Sequence, residues 1–338
     1  MIVRYVSLLL MMMLLTLELN AGRGASTILF NDTLNSASVP SSKSTETINR
    51  YSLLSSKTND KTNDSINRKR LTPVIISGAV IYAGSMTGLY QLWYKNYSQS
   101  KFHLFNDNNE YLQMDKMGHF TTTYYISKLS YNTLRWSGLS ENKSILYGGG
   151  MGILYLTVVE ILDGFCSKWG FSPGDMTANS LGAGLFVGQQ LLWKEQRIQL
   201  KWSFHQSKYA TYRPDLLGKN LKEQWVKDYN GQTYWLSANI KSFLSKENKF
   251  PAWLNLAVGY GAEGMTGSSV NSSNYNGINI PPFKRYRQFY LSGDIDISRI
   301  KTRSKTLHLI LNALSFIKIP FPTLEFSQGK IIAHPLYF

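Results

Sequence analysis

Three pairs of polar residues could do chemistry, because helical spacing would place each pair on one face of a helix. The pairs are Asp115 with His119, Glu160 with Asp163, and Asp175 with Asn179. If the three faces converge, they gather four carboxylates, one imidazole and one amide, with Lys116 and Ser172 nearby. Buried ionisable groups must pair, bind a cation or shift their pKa, since an isolated charge in a low dielectric is costly.

Such a site has three interpretations. The carboxylates and His119 could bind a divalent metal ion that activates water or grips a phosphate-bearing ligand. Alternatively, His119 and a carboxylate of raised pKa act as general acid and base, or the network only fixes helix register, with His119 bonded to Asp163 or Asp175. The candidate catalytic residues are Asp115, His119, Glu160, Asp163 and Asp175, and the candidate ligand-binding residues are Lys116, Ser172 and Asn179.

The three pairs fall within residues 71–195, which have the pattern of about four apolar helices. The helical patterns cover 71–94, a stretch from about Tyr111, 144–165 and 172–193. The first is uncharged and long enough to cross a bilayer, although a buried core helix would have the same pattern. At the last, a capping Ser172, Pro173 at the first helical position and an acidic residue three places after the cap predict a helix start.

Beyond Lys194 the hydrophobic period changes from helical to two, which predicts strands. The alternating stretches are 198–204, 234–243, 254–260 and 289–297, followed by a final pair at 317–327 and 330–338, with a helix predicted at 215–229. A chain that ends on a strand with a terminal aromatic is typical of outer-membrane barrels. We therefore predict an α+β fold: an apolar helical bundle followed, over 196–338, by an antiparallel β-sheet or partial β-barrel.

The N-terminal segments predict export. Residues 1–21 have the basic start, apolar run and small-residue end of a secretory signal peptide. Residues 22–70 are rich in polar residues and predict a disordered leader. The only cysteine is Cys166, so no intramolecular disulfide can form, and no cysteine follows the apolar run to carry a lipid anchor.

Charge and aromatic content indicate the kind of partner. Lys and Arg total 36 against 21 Asp and Glu, for a net charge of +15, which suits an anionic partner. The 21 Tyr and 8 Trp are typical of proteins at membrane interfaces, so membrane lipid or lipopolysaccharide is the expected partner. No stacking-aromatic motif accompanies the basic residues, so nucleic acid is not expected. No phosphate-cradling glycine loop or nucleophile elbow is present, which excludes the enzyme classes that need one.

Three strings carry a family resemblance. They are Asp-Lys-Met-Gly-His-Phe at 115–120, Glu-Ile-Leu-Asp-Gly-Phe at 160–165 and Phe-Ser-Pro-Gly-Asp-Met-Thr-Ala-Asn at 171–179. Over about 90–200 the chain resembles domain of unknown function 2279, described as predicted periplasmic lipoproteins, and 229–237 and 335–338 resemble its longer envelope versions. The family brings no activity with it.

The order of the polar residues also resembles, more distantly, the VanZ family of small integral membrane proteins associated with glycopeptide-antibiotic resistance. That resemblance implies that five shared positions face one another inside a membrane bundle: Asp115, His119, Glu160, Asp175 and Asn179. We expect an exported outer-membrane or periplasmic protein with a structural or ligand-binding role. The alternative is a membrane-embedded hydrolase or transferase acting on an envelope lipid or glycan. A divalent metal cofactor stays open in both.

Overall fold

The computed structural model of the chain describes residues 67–95, 97–245 and 247–337. The expected signal peptide, nearly all of the expected leader and the terminal Phe338 lie outside these residues. The described chain begins with four long helices and continues into a region dominated by an antiparallel sheet.

The four long helices are α1 (Arg68–Leu89), α2 (Met114–Trp136), α3 (Glu141–Gly164) and α4 (Pro173–Trp193). Helix α2 packs against both α3 and α4. The approach to α4 is closest at Gly182, where an added Cβ would lie 2.2 Å from the carbonyl oxygen of Phe120. Only glycine permits this backbone contact, which sets the spacing between the two helices that carry most of the predicted site.

Helix α4 begins as predicted. The hydroxyl oxygen of Ser172 accepts a hydrogen bond from the backbone nitrogen of Asp175 at 3.0 Å. Pro173 occupies the first helical position, where its missing N–H costs nothing. The cap therefore fixes where Asp175 and Asn179 point.

Helix α1 is not a core helix, because only Ser85 and Leu89 of its residues are buried. It continues into a π-helical turn over Tyr90–Tyr94. Within the described residues, α1 and α3 are the two helices long and apolar enough to cross a membrane by length and composition, although α3 is partly buried in the bundle.

The described residues contain seven α-helices, so the prediction of about four was too low. The other three are α5 (Pro214–Leu217), α6 (Leu221–Lys227) and α7 (Lys305–Ala313). The single helix predicted at 215–229 is two helices, because Gly218 adopts φ 107°, which ends α5. Helix α7 was not predicted.

Six strands form one antiparallel sheet in the order β1-β2-β3-β6-β7-β8. They are β1 (Ile198–Phe204), β2 (Gln232–Asn239), β3 (Leu254–Glu263), β6 (Tyr286–Ile295), β7 (Phe321–Ser327) and β8 (Lys330–Tyr337). The two-residue strands β4 (Asn274–Tyr275) and β5 (Ile278–Asn279) form a separate hairpin. The sheet is not closed into a barrel: β1 and β8 are its two ends.

The sheet is strongly curved. Lys201 on β1 lies 2.6 Å, Nζ to Oδ2, from Asp294 on β6, although β2 and β3 lie between. In a flat sheet those strands would be about 14 Å apart. The backbone nitrogen of Lys318, just before β7, also donates to the Trp202 carbonyl oxygen at 2.9 Å. Side chains on the concave side therefore meet one another in a buried, mostly polar interior.

Candidate functional site

A left-handed turn precedes α2 and sets its first residues. Tyr111, Leu112 and Gln113 have φ of 44°, 50° and 65°, a region that costs roughly 1–2 kcal/mol for each non-glycine residue. The sheet holds this turn: the Tyr260 hydroxyl donates to the Leu112 carbonyl oxygen at 2.5 Å, and the Arg287 guanidinium donates to Gln113 Oε1 at 2.7 Å. The position of Asp115 in the first turn of α2 thus depends on the sheet.

The centre of the site is the Nε2 atom of His119. It lies 3.5 Å from Glu160 Oε1, 3.9 Å from Asp115 Oδ2 and 3.9 Å from Asp175 Oδ2. His119, Glu160 and Asp175 are buried, and the Asp115 side chain is 17% exposed. The structure therefore brings together four of the five candidate catalytic residues, from α2, α3 and α4.

The other ring nitrogen of His119 faces Asn179. The distance from Nδ1 to Asn179 Oδ1 is 3.0 Å, and the hydroxyl of Thr123 donates to the same oxygen at 3.1 Å. An amide oxygen only accepts hydrogen bonds, so the neutral imidazole carries its proton on Nδ1. The lone pair on Nε2 then points at the three carboxylates, which is the orientation that a metal ligand needs.

A second set of contacts surrounds Lys116. Its Nζ lies 2.7 Å from Asp107 Oδ1 and 3.1 Å from Asp175 Oδ1. Ser172 donates its hydroxyl to Asp107 at 2.6 Å and its backbone N–H to Glu160 Oε2 at 3.0 Å. Burial alone would lower the pKa of Lys116, but the two carboxylates outweigh it and raise that pKa. Lys116 and Ser172 therefore hold the carboxylates in place.

Burial changes the protonation of the acids. Burial, opposed by His119 and reinforced by the other acids, raises the pKa of Glu160 to about 8. Burial and the nearby Asp115 carboxylate raise the pKa of Asp175 to about 8. Burial acts in the same direction on Asp107, but hydrogen bonds from Asp175, Lys116 and Ser172 outweigh it and lower its pKa. Without a cation, burial favours the protonated forms of Glu160 and Asp175.

Asp163 is the predicted residue that lies apart from His119. Its Oδ1 accepts a hydrogen bond from the Tyr94 hydroxyl at 2.9 Å, which ties α3 to the turn after α1. Of the two partners predicted for His119, Asp163 is therefore not the one that faces it, because this carboxylate bonds to Tyr94. Asp175, the other predicted partner, does face His119.

Three contributing residues were not predicted as site residues. Thr123 lies four residues after His119, a helical spacing that could have revealed it. Tyr229, which donates its hydroxyl to Asp115, is 114 positions away in the sequence. Asp107 lies in an irregular loop. Neither Tyr229 nor Asp107 has a spacing signal. Together with the predicted residues, except Asp163, these form the helical cluster: Asp107, Asp115, Lys116, His119, Thr123, Glu160, Ser172, Asp175, Asn179 and Tyr229.

The cluster can accommodate a metal ion. Asp115, His119 and Asp175 each offer one ligand atom, and these atoms lie within 4.8 Å of one another. In a tetrahedral site with metal–ligand distances near 2.1 Å, the ligand atoms lie about 3.4 Å from one another. Small side-chain movements would therefore bring these three atoms to the distances that a metal ion requires. Glu160 lies beside this set, with Oε1 3.5 Å from His119 Nε2. Two carboxylates with one imidazole suit ions such as Mn²⁺ and Zn²⁺.

The site is therefore a buried carboxylate–imidazole cluster in a helical bundle. Residues 103–189 match the family model of predicted periplasmic lipoproteins, domain of unknown function 2279. The match spans every residue of the helical cluster except Tyr229, and its family description supports a location in the cell envelope. It gives no support to the resemblance to VanZ. Searches of curated proteins and of solved structures returned no match to this chain.

Proposed function

We propose that this chain is an exported cell-envelope protein whose helical bundle binds one divalent metal ion. The observation that carries the proposal is the geometry around His119, whose Nε2 lone pair is directed at Asp115, Glu160 and Asp175 by the hydrogen bond to Asn179. We place the protein in the periplasm or at the outer membrane, exported by the signal peptide at 1–21. Its role there is to hold a ligand rather than to catalyse a reaction.

Charge balance favours a metal ion over a network that only fixes helix register. A register network pairs buried acids with donors of opposite charge. Here Asp107, Asp115, Glu160 and Asp175 share one lysine and one histidine. A divalent cation among these carboxylates would supply the missing positive charge and displace the protons from Glu160 and Asp175.

The partial exposure of Asp115 favours a second candidate, a metal-dependent hydrolase or transferase. Its side chain is 17% exposed, so the cluster reaches solvent on this side. A metal ion held there would lower the pKa of a bound water, and Glu160 could accept the proton. A phosphate-bearing envelope lipid or glycan is the substrate class that a cationic centre of this kind would attract.

Metal content tests the proposal. Untagged full-length chain, dialysed against Zn²⁺ or Mn²⁺ and then washed, should retain about one equivalent by elemental analysis, and His119→Ala and Asp175→Asn should lose it. The matched control is His103→Ala, because His103 lies in the same unit and its ring bonds to the neighbouring Ser100 and Lys101. Wild-type chain that retains neither ion, or a folded His119→Ala chain that retains a full equivalent, would contradict the proposal.

Phosphate release from phosphatidate separates the two candidates. For a ligand-binding protein, metal-loaded wild type should release no more phosphate than His119→Ala. For the enzyme, wild type should release phosphate, whereas Glu160→Gln should keep the metal and lose the release, because glutamine cannot accept the proton.

A further inference from the structure

Directly opposed residues form apolar rows across the convex side of the sheet. Residues opposite one another on neighbouring strands point to the same side. One row consists of Leu200, Leu236, Val258, Leu291, Leu324 and Ala333. The next consists of Trp202, Tyr234, Tyr260, Phe289, Phe326 and Ile331. We call the surface made by these two rows, with Leu256, the outer face.

Half of the outer face is covered by the helices. Leu200 and Leu236 on β1 and β2 pack in one cluster with Tyr124 of α2 and Phe186 of α4. In the other half, on β3, β6 and β7, Tyr260 contacts the turn before α2, and the remaining residues have no cover among the described residues. Their side chains are between 38% and 54% exposed: Leu256, Val258, Phe289, Leu291, Leu324 and Phe326.

The concave side of the same strands has the opposite character. Asp294 pairs with Lys201, and Glu325 accepts from Gln288 at 3.0 Å and lies 2.8 Å from His334. Asn255, Ser292 and Thr323 are buried there as well. A sheet with one face in water buries its apolar face and exposes its polar one. This sheet does the reverse, which is the pattern of strands that face lipid.

The length of the strands and the charges at their ends fit a bilayer. Strands β3 and β6 have 10 residues each, the number that crosses a hydrocarbon core when tilted. No charged side chain lies among the uncovered outer-face residues. The exposed Arg287 lies at one end, next to the aromatic row, and the exposed Trp253 lies at the other. Aromatic and basic side chains at the limits of an apolar band are typical of the membrane interface.

The uncovered half also contains an apolar groove. It has a volume of about 420 Å³, and its lining includes Leu256, Leu291, Leu324, Ala333 and Pro335. The groove lies beside the register shift between β7 and β8. An acyl chain could lie in this groove, with its methylene groups in contact with the apolar walls.

We propose that the uncovered half of the outer face lies against the acyl chains of a phospholipid bilayer, with Arg287 at the headgroups. The argument does not depend on the metal centre. A second copy of the chain or residues 1–66 would also exclude water from an apolar face. Neither of them requires an apolar band that is free of charge or a basic residue at its edge.

Spin labels on the full-length chain test the proposal. In a Cys166→Ser background, a nitroxide is placed at Val258→Cys or Leu324→Cys, and the control label is placed on the exposed turn at Ser273→Cys. The chain is reconstituted into vesicles of phosphatidylethanolamine and phosphatidylglycerol. At 258 and 324 we expect frequent collisions with oxygen, which concentrates in hydrocarbon, and few with a water-soluble nickel chelate; at 273 we expect the reverse.

Other outcomes would overturn the proposal. Frequent nickel collisions at 258 and 324 would mean that the face lies in water. Few collisions with either probe would mean that protein covers the face, and light scattering would then distinguish a second copy of the chain from the leader.

The double variant Val258→Lys with Leu324→Lys should reduce vesicle flotation at least about tenfold, and Ser273→Lys should not. Unchanged flotation of the double variant, or flotation only with lipopolysaccharide vesicles, would also refute a phospholipid-facing surface. Loss of the metal site would leave each of these results unchanged.

Discussion

The helical bundle and the curved sheet both bury charged side chains, but they compensate the charge differently. In the sheet, Asp294 lies 2.6 Å from Lys201 and 3.9 Å from Lys318, so its charge is neutralised within the protein. In the helical cluster, the carboxylates outnumber the cationic side chains that reach them. A balanced buried group needs nothing from outside the chain, whereas an unbalanced one needs protons or a cation. The difference supports the proposed binding role of the helical cluster and a structural role for the charges of the sheet.

Removing the carboxylate from the sheet should have the largest effect. Asp294→Ala leaves Lys201 and Lys318 buried without their counter-ion and should lower the free energy of unfolding by about 3–5 kcal/mol. Urea denaturation measures this change in the free energy of unfolding. The control Glu195→Ala removes a carboxylate that pairs with Arg197 and is 40% exposed, and should cost less than about 1 kcal/mol. Similar losses for both variants would mean that the sheet interior does not depend on its charge balance.

The helical bundle should be most sensitive at its backbone contact. In Gly182→Ala the new methyl would collide with the Phe120 carbonyl oxygen and should cost about 1–3 kcal/mol. Gly184→Ala is the matched control on the same helix, because nothing lies within 4 Å of its added Cβ. It should raise stability by up to about 1 kcal/mol. If the two substitutions had the same sign in thermal unfolding, the close packing of α2 and α4 would be in doubt.

Disturbing the orientation of His119 should affect metal affinity. Asn179→Leu removes the acceptor for Nδ1 and should weaken Zn²⁺ binding about 10–100-fold in a chelator competition titration. Asn179→Asp keeps an acceptor at the same position and should stay closer to wild type. Ser180→Ala, at the exposed neighbouring position, is the control. Equal affinity in the leucine variant would show that the amide does not orient the imidazole.

The excess acid predicts a pH dependence below about pH 8. In the sheet interior, burial lowers the pKa of Lys318 from 10.5 to about 8, so that lysine affects stability only above this range. The pKa of Glu160 rises from 4.5, and that of Asp175 from 3.8, to about 8 in the folded chain. The folded state therefore binds more protons than the unfolded state between about pH 4 and pH 8, and stability is lost as pH rises through this window. The Tm of metal-free chain should fall between pH 5.5 and 8, less steeply in Glu160→Gln, and Zn²⁺ should reduce the fall. A flat profile in metal-free wild type would contradict the charge imbalance.

Local signals predicted much of this architecture. The start of α4 follows from Ser172, Pro173 and Asp175 alone, because a cap is made within one turn. Strand β1 follows from the alternation over 198–204, which matches its observed bounds. The faces carrying Asp115, His119, Glu160 and Asp175 also follow from spacing, although their convergence depends on how the helices pack.

Long-range contacts were beyond such signals. Asp107 reaches Lys116 from an irregular loop. Asp163 bonds to Tyr94, 69 positions earlier in the sequence, and so does not join the site. The curvature that joins Lys201 to Asp294 depends on the pairing of four strands, which no alternation pattern specifies. The apolar rows were visible as alternation, but which side they face depends on that curvature.

The left-handed turn before Asp115 has a consequence for any attempt to reduce the protein to its smallest working part. A fragment ending at Lys194 would retain all four long helices and the segment matched by the family. It would lose Tyr260 and Arg287, the sheet residues that hold Leu112 and Gln113. The strained turn would then relax, and the first carboxylate would drift from the imidazole. The smallest fragment that keeps the proposed metal site intact therefore extends at least to residue 287.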